Sequence, residues 1–442
     1  CGAGDLGRVG RLLTMEQVVV ILFLTFFALE FLVEFVLNEI NMSHVRRNVA
    51  EQKFPAVFQG KVGQEAYDKS VEYTLAKGRF ERWAQVYGGL VTLFVLFGGV
   101  LPYLDGLARD AGGWFPASLK APGILFCLSV AITFSLLSLP TGLYATFVIE
   151  EYFGFNKSTL KLYLADKLKG LLVSLVIGIP FLFVVFYLMG ETGPYWWLWA
   201  FLFILAFQIL MVILYPTLIA PLFNKFEPLK EGELRERILA LAEKAGFKTS
   251  GIYTMDGSRR SAHSNAYFTG LGRAKRIVLF DTLLEQMTEE QGLAVLAHEI
   301  GHYKMKHVRK MLVIQGIFLF VGLYILSLLI GYEPLFWAFG LVPSSHTALV
   351  LLSLITGPLT FYLAPVMNLL SRKHEYEADR FAVRMLKDGK PIEEALFRLT
   401  VKNLSNLTPH PWYSAYHYSH PTAAERISAI RQEAKNLISV AA

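Results

Sequence analysis

Seven stretches of this chain are apolar over the length of a membrane crossing, and nothing else in it restricts the fold so strongly. Hydrocarbon offers no hydrogen-bond partners, so a segment inside it must satisfy its own backbone, as helices and closed barrels do. About 20 apolar residues carry a helix across the core. The stretches lie at approximately 15–40, 84–104, 122–149, 168–189, 195–220, 311–332 and 347–370. Composition agrees, with 18% charged residues where soluble domains carry about 25%. The expected fold is mainly α, a polytopic membrane protein. Spans one to five lie in 15–220 and spans six and seven in 311–370. The opening "CGAGDLGRVGRLLT" (1–14) is Gly-rich with no membrane-length apolar run, and reads as a leader without fixed structure. The apolar run after it is too long for a signal peptide's core.

Charge sets the orientation. The formal balance is +6, but no compact Lys/Arg cluster with interleaved aromatics marks a nucleic-acid surface. Basic residues collect instead in 41–83, 150–167, 221–310 and 371–442. The intervening loop 105–121 has Arg109 and Lys120, while 190–194 and 333–346 have none. Positive loops mark the cytoplasmic side, so the N-terminus is expected outside and both large polar segments inside. Cys1 and Cys127 are the two cysteines, which excludes a disulfide framework. Glu30 and Glu34 on the first span, Gln208 on the fifth, and Ser135 and Ser138 on the third are polar within apolar runs. Carboxylates there face a protein interior or a wet cavity; Glu34, near a helix end, can also snorkel.

The polar segments read as folded. "EGELRERILALAEKAGF" (231–247) has helical periodicity and ends at Gly246. "GIYTMDG" and "RIVLFDTLL" predict short strands, with "HSNAYFTGLGRAK" between them. The run 288–310 predicts one helix, opened by Thr288 and Glu290 and continuing into the sixth span.

That helix carries "AHEIGHYKMKH" (297–307). Positions i and i+4 share a helix face, so His298 and His302 can bind one Zn2+ through imidazole nitrogens, with Glu299 placed to take a proton from water. A catalytic zinc takes three protein ligands. The third is sought in "SRKHEYEADRFA" (371–382), where Glu375, Glu377 and Asp379 are the carboxylates and Glu375 and Asp379 stand i, i+4. The competing reading is an exposed acidic face paired with Lys373 and Arg380. In "YSHPTAAERISAI" (418–430), His420 sits at a helix start. It can hold a developing oxyanion, although a lone histidine is more often structural.

Together these blocks resemble the CAAX prenyl protease 1 family, seven-span zinc metalloendopeptidases of membranes, from about residue 15 to 435. "HEIGH" matches the family's metal helix and "EYEADRFA" its third-ligand segment. "IEEYFGFNKSTL" (149–160), "YPTLIAPLFNKFEPL" (215–229), "SNAYFTG" (264–270), "RIVLFDTLL" (276–284) and "SHPTAAERI" (419–427) resemble further segments particular to the family. The resemblance implies one Zn2+ on His298, His302 and Glu375, with Glu299 as general base. It implies Asp379 behind the ligands near Arg426, and His420 facing the substrate carbonyl. Asn265 and Ala266 would mark the edge strand along which substrate backbone lies, since an extended peptide can add itself to an exposed strand. The implied fold is seven helices around a large water-filled chamber. A zinc-metalloprotease domain of helices and a small sheet, drawn from 221–310 and 371–442, would cap it on the cytoplasmic side. A metal site at the bilayer boundary would then open into a cavity within the membrane.

The implied activity is hydrolysis of peptide bonds near the C-terminus of prenylated CAAX-type or related membrane-associated substrates. A quality-control protease for damaged membrane proteins would use the same catalytic residues. A seven-span receptor or transporter with an incidental HExxH is the non-enzyme alternative. The expected partners are a peptide or protein substrate and the lipid bilayer, with no nucleic acid, and the expected state is a monomer. The expected location is a bacterial inner membrane, or the endoplasmic reticulum or inner nuclear membrane of a eukaryote, with the catalytic domain cytoplasmic.

Overall fold

The computed structural model describes residues 13–270 and 275–441. The expected leader lies outside these residues except for Leu13 and Thr14. Thr14 is the N-cap of α1 (Met15–Ala50), in a capping box closed by Gln17, a device worth about 1 kcal/mol. α2 (Gln64–Phe97) and α3 (Val100–Gly112) meet at a 55° bend. The bend turns on Gly99, whose φ of +77° a side chain would disfavour. α4 (Ala121–Tyr144) contains Pro140 and continues through a wide π-turn to Glu150. α5 (Leu160–Glu191) is capped by Thr159. α6 (Trp196–Leu214) passes through a second π-turn at Pro216 into the short α7 (Ala220–Phe223).

The polar part then begins. β1 (Phe226–Pro228), α8 (Glu233–Lys244), β2 (Gly251–Met255), β3 (Ala266–Thr269), β4 (Arg276–Phe280) and α9 (Asp281–Gln286) follow in order. The sheet runs β1-β2-β4-β3, with β2 and β4 parallel and the outer pairs antiparallel. β3 is thus an edge strand. The segment between the two expected strands is itself partly a strand, and β1 had no periodic signal because it is three residues long. α10 (Glu289–Lys304) packs on β3, α8 and later helices. Its N-cap is Thr288, and the capping-box partner is Gln291 rather than Glu290, because N3 is the position from which a side chain reaches back to the cap.

The expected single helix over 288–310 is broken. Lys306 adopts φ +60°, and α11 (His307–Leu329) starts afresh after it. The short α12 (Glu333–Trp337) leads to α13 (Ser345–Ile355), capped by Ser344. The seventh expected span, 347–370, is also not one helix. It is α13, then α14 (Gly357–Phe361), then the start of α15 (Ala364–Leu386). Pro358 and Pro365 cannot donate to the preceding turn, which accounts for the breaks. α13 alone has 11 residues, about 16 Å of rise, too short to cross hydrocarbon. α16 (Lys390–Lys402), α17 (Pro411–His417) and α18 (Ala423–Ala441) complete the chain. Among the described residues, five helices are long and apolar enough to cross a membrane, or six with α2 and α3 taken as one bent span.

The membrane helices form a closed circuit of neighbours: α1, α2, α4, α5, α6, α11, α13, α14 and back to α1. Their buried core gathers where α3, α4, α5, α12 and α13 meet, around Leu101, Phe126, Phe186, Phe336 and Leu351. There the His346 Nε2 to Asp105 Oδ1 contact of 2.8 Å ties α13 to α3. Little of each long apolar helix is buried within the protein: 6–22% of its apolar window. The polar part has its own core of Ile238, Phe247, Ile277, Leu279, Leu296 and Ile300, each worth roughly 1.5–3 kcal/mol on burial. This core seats α10 between the sheet and α15.

Candidate active site

α10 and α15 approach closely because Gly301 has no side chain. A Cβ there would stand 3.0 Å from Ala378 Cα and 3.1 Å from its carbonyl oxygen. The approach brings Glu375 to His298 and His302. The two Nε2 atoms face each other at 3.1 Å. Glu375 lies 3.2 Å from His302 and 3.4 Å from His298, and ligand atoms of all three lie within 4.8 Å of one another.

The donor set fits a cation. His298 Nδ1 donates to Asp379 Oδ1 at 2.8 Å, which leaves its Nε2 lone pair directed at His302. Glu375 Oε2 is buried without a hydrogen bond. Converging imidazole lone pairs are costly unless positive charge sits between them, and Arg426, 3.3 Å from Glu375 Oε2, meets only the carboxylate. Burial disfavours an imidazolium at His298, but the carboxylates of Asp379 and Glu375 outweigh it and hold its pKa up to about 9. Burial also opposes the charge on Glu375, yet His298 and His302 prevail and keep that carboxyl well below the ordinary range. The two carboxylates that favour positive charge at His298 would equally favour a cation placed among these groups.

Asp379 sits behind this group. Arg426 donates to it twice, at 2.8 and 2.7 Å, from α18. Burial raises the Asp379 carboxyl, but Arg426 and His298 overcome that and hold it at about 2. Arg426 also lies 3.3 Å from Glu375. Of the three carboxylates in 371–382, Glu375 joins the histidines and Asp379 backs them. Glu377 turns the other way, to His307 at 2.9 Å.

A cavity of 360 Å³ opens beside the cluster, lined by His298, Glu299, Glu375, His420, Arg426, Ser264, Asn265, Ala266 and Asn403 among others. Burial raises the Glu299 pKa above the ordinary carboxylate value. His420 is largely exposed, with Nε2 3.4 Å from Glu375 and Nδ1 2.9 Å from the Ser419 hydroxyl. Asn265 accepts from Ala266 N at 2.8 Å, and its carbonyl takes Phe280 N at 3.1 Å. Ala266, the first residue of the edge strand, and Asn265 just before it line the cavity wall. Asn403, beyond α16, carried no signal in the sequence because nothing local distinguishes it from a helix C-cap.

Residues 44–225 match the CAAX prenyl protease N-terminal domain of five membrane helices, and residues 228–434 match peptidase family M48. The CAAX prenyl protease 1 homolog of Dictyostelium discoideum is 37% identical over 417 residues, covering 93% of this chain and 96% of that protein. The chain belongs to the CAAX prenyl protease 1 family. CAAX prenyl protease 1 of Saccharomyces cerevisiae is 35% identical, covering 87% of this chain and 90% of its own length. The Homo sapiens homolog is 36% identical, covering 83% and 86%. The crystal structure of S. mikatae Ste24p superposes with a TM-score of 0.85 at 32% identity, over 95% of this chain and 99% of that one. Membership of this family makes the chain a multi-pass membrane metalloendopeptidase. The receptor or transporter reading falls with it.

Proposed function

We propose that this CAAX prenyl protease 1 family member is a zinc endopeptidase that cleaves near the C-terminus of prenylated CAAX-type membrane substrates. One observation carries the reading: His298, His302 and Glu375 converge within 4.8 Å beside a cavity that also holds Glu299 and the start of an edge strand. His298, His302 and Glu375 hold the metal, and two imidazoles with a carboxylate are a donor set of catalytic zinc. Zinc held there supplies Lewis acidity toward water and the scissile carbonyl.

The chain's own groups perform the rest. Substrate backbone adds to the edge of β3 from Asn265 and Ala266 onward. Glu299, raised in pKa by burial, takes a proton from the attacking water and delivers it to the leaving amine. His420 donates a hydrogen bond to the carbonyl oxygen as negative charge grows there. Asp379, braced by Arg426, keeps His298 in one tautomer and one orientation.

The segments 221–310 and 371–442 compose the catalytic unit, since α10, α15, α16 and α18 pack on one another. Seven crossings are reached by adding the α13–α14 stretch. The closed circuit of helices and the cavity lined by Glu30, Glu34 and Asn368 support a hollow chamber, with the catalytic unit as its cytoplasmic cap and the working unit a monomer. The eukaryotic relatives favour the endoplasmic reticulum or inner nuclear membrane. The names of these relatives favour CAAX processing over quality control. The deciding experiment is cleavage by the purified chain of matched peptides with and without a prenyl group on the CAAX cysteine, with zinc content measured in parallel. Preferential cleavage of the prenylated peptide with one zinc per chain supports the proposal. Equal cleavage moves the reading to quality control, and absence of zinc removes the metal assignment.

A further inference from the structure

We infer that His307, backed by Glu377, is a positioning residue for His302, and that the break between α10 and α11 exists to place it. The inference rests on the proposal that His302 holds the metal. His302 Nδ1 lies 3.0 Å from His307 Nδ1, and His307 Nε2 lies 2.9 Å from Glu377 Oε2. An ionised carboxylate only accepts, so His307 Nε2 carries the hydrogen. The neutral ring then offers a lone pair at Nδ1, and His302 Nδ1 must donate to it. This leaves the His302 Nε2 lone pair turned toward His298 and Glu375, as metal binding requires. His298 reaches the same state by a shorter route, donating directly to Asp379.

The contact depends on the backbone. Five positions on an unbroken helix turn through about 500°, so the two side chains would stand roughly 140° apart. Lys306, in the left-handed region at φ +60°, ends α10 and sends His307 back beneath His302. A non-glycine residue there costs free energy, and something must hold it. The His307 ring is buried, stacked on the His374 ring at 4.0 Å and 14°. His374, Glu375 and Glu377 all come from α15. One turn of that helix thus supplies the proposed third ligand and both supports of His307. His307 is also the first residue of a membrane helix, so the bilayer segment and the metal helix meet in this one side chain.

Two near-isosteres separate this role from a simple pin between helices. An asparagine at 307 places its amide oxygen where Nδ1 stands and keeps the acceptor for His302. A glutamine reaches the Nε2 position and keeps the link to Glu377 without that acceptor. Zinc affinity is read by chelator competition on the full chain in detergent, with apparent Tm to confirm folding. His307→Gln and His307→Leu should bind zinc about 10–100-fold more weakly, while His307→Asn stays within about 3-fold of the parent. Retention in the glutamine variant with loss in the asparagine one would make His307 a pin, and equal affinity in all, or loss in the asparagine variant, would also overturn the inference. If the parent chain itself binds no zinc, the metal assignment fails before this one.

Discussion

Glu299 follows His298 directly and faces the same cavity, but it lies outside the converging trio. Its removal should therefore separate chemistry from metal binding. Glu299→Gln keeps the shape and loses the proton acceptor, so peptide hydrolysis should fall roughly 10²–10⁴-fold at unchanged zinc content. A variant that kept more than about a tenth of the parent rate would need another base. His420 is exposed at the cavity mouth, 3.4 Å from Glu375, which suits a group that meets substrate. His420→Ala should lower kcat by about 10²–10³, the cost of one oxyanion donor, with KM and zinc content little changed. Zinc loss in that variant would recast His420 as a ligand.

At the scale of elements, the α10–α15 contact is the most demanding. Ala378 backbone occupies the space beside Gly301, and backbone does not rotate away as a side chain can. Gly301→Ala should destabilise the chain by about 1–3 kcal/mol through overpacking and weaken zinc binding by moving α15 off the histidines. Unchanged melting and unchanged zinc affinity would show that the helices slide freely. A second joint ties α16 to α18 and to the loop before α2. Glu393 accepts two hydrogen bonds from Arg431, at 2.9 and 2.7 Å, and one from Lys61 at 2.6 Å. Arg431, with Lys61, lowers the Glu393 carboxyl from 4.5 to about 2. A depressed carboxyl pKa stabilises the fold above the unfolded value and loses that contribution as pH falls through the folded one. Parent and Glu393→Gln should therefore differ in apparent Tm above pH 4.5 and converge toward pH 2. A difference that stays constant across that window would remove Glu393 as its source.

Across the whole molecule, the question is whether the helix circuit encloses water. Glu30 and Glu34 line a 530 Å³ cavity with Gln85, Asn368 and Tyr416, and Glu34 stands 3.5 Å from His417 of α17. These carboxylates thus face the protein side of α1. Gln208 is half-buried on α6. Ser138 donates to the Ser135 carbonyl within its own helix, so the serines say little about a chamber. Cysteine substitutions at 30, 34 and 208 should react with a small water-soluble thiol reagent in folded, active protein. If all three stay unreactive, the interior is dry and substrate reaches His298 and His302 from the side of the polar segments alone.

The sequence by itself determined what local periodicity and covalent spacing control. Apolar runs of membrane length, the i, i+4 pair His298 and His302, the Gly246 stop and the strands around 251–255 and 276–280 all follow from side-chain pattern. The loop charges were legible for the same reason. Only the tertiary structure decided which of three carboxylates meets the histidines, because Glu375, Glu377 and Asp379 differ by helical phase against a partner that is distant in the chain. It also decided which breaks occur: Pro358 and Pro365 stand in the sequence, but so do Pro140 and Pro180, which α4 and α5 carry through unbroken. The apolar pattern runs through Thr356 without interruption, and the helical pattern through Lys306 likewise. In both places the chain gives up local helix geometry, at Pro358 and Pro365 because proline cannot donate, and at Lys306 because contacts with α15 outweigh a backbone preference that a short window of sequence cannot see.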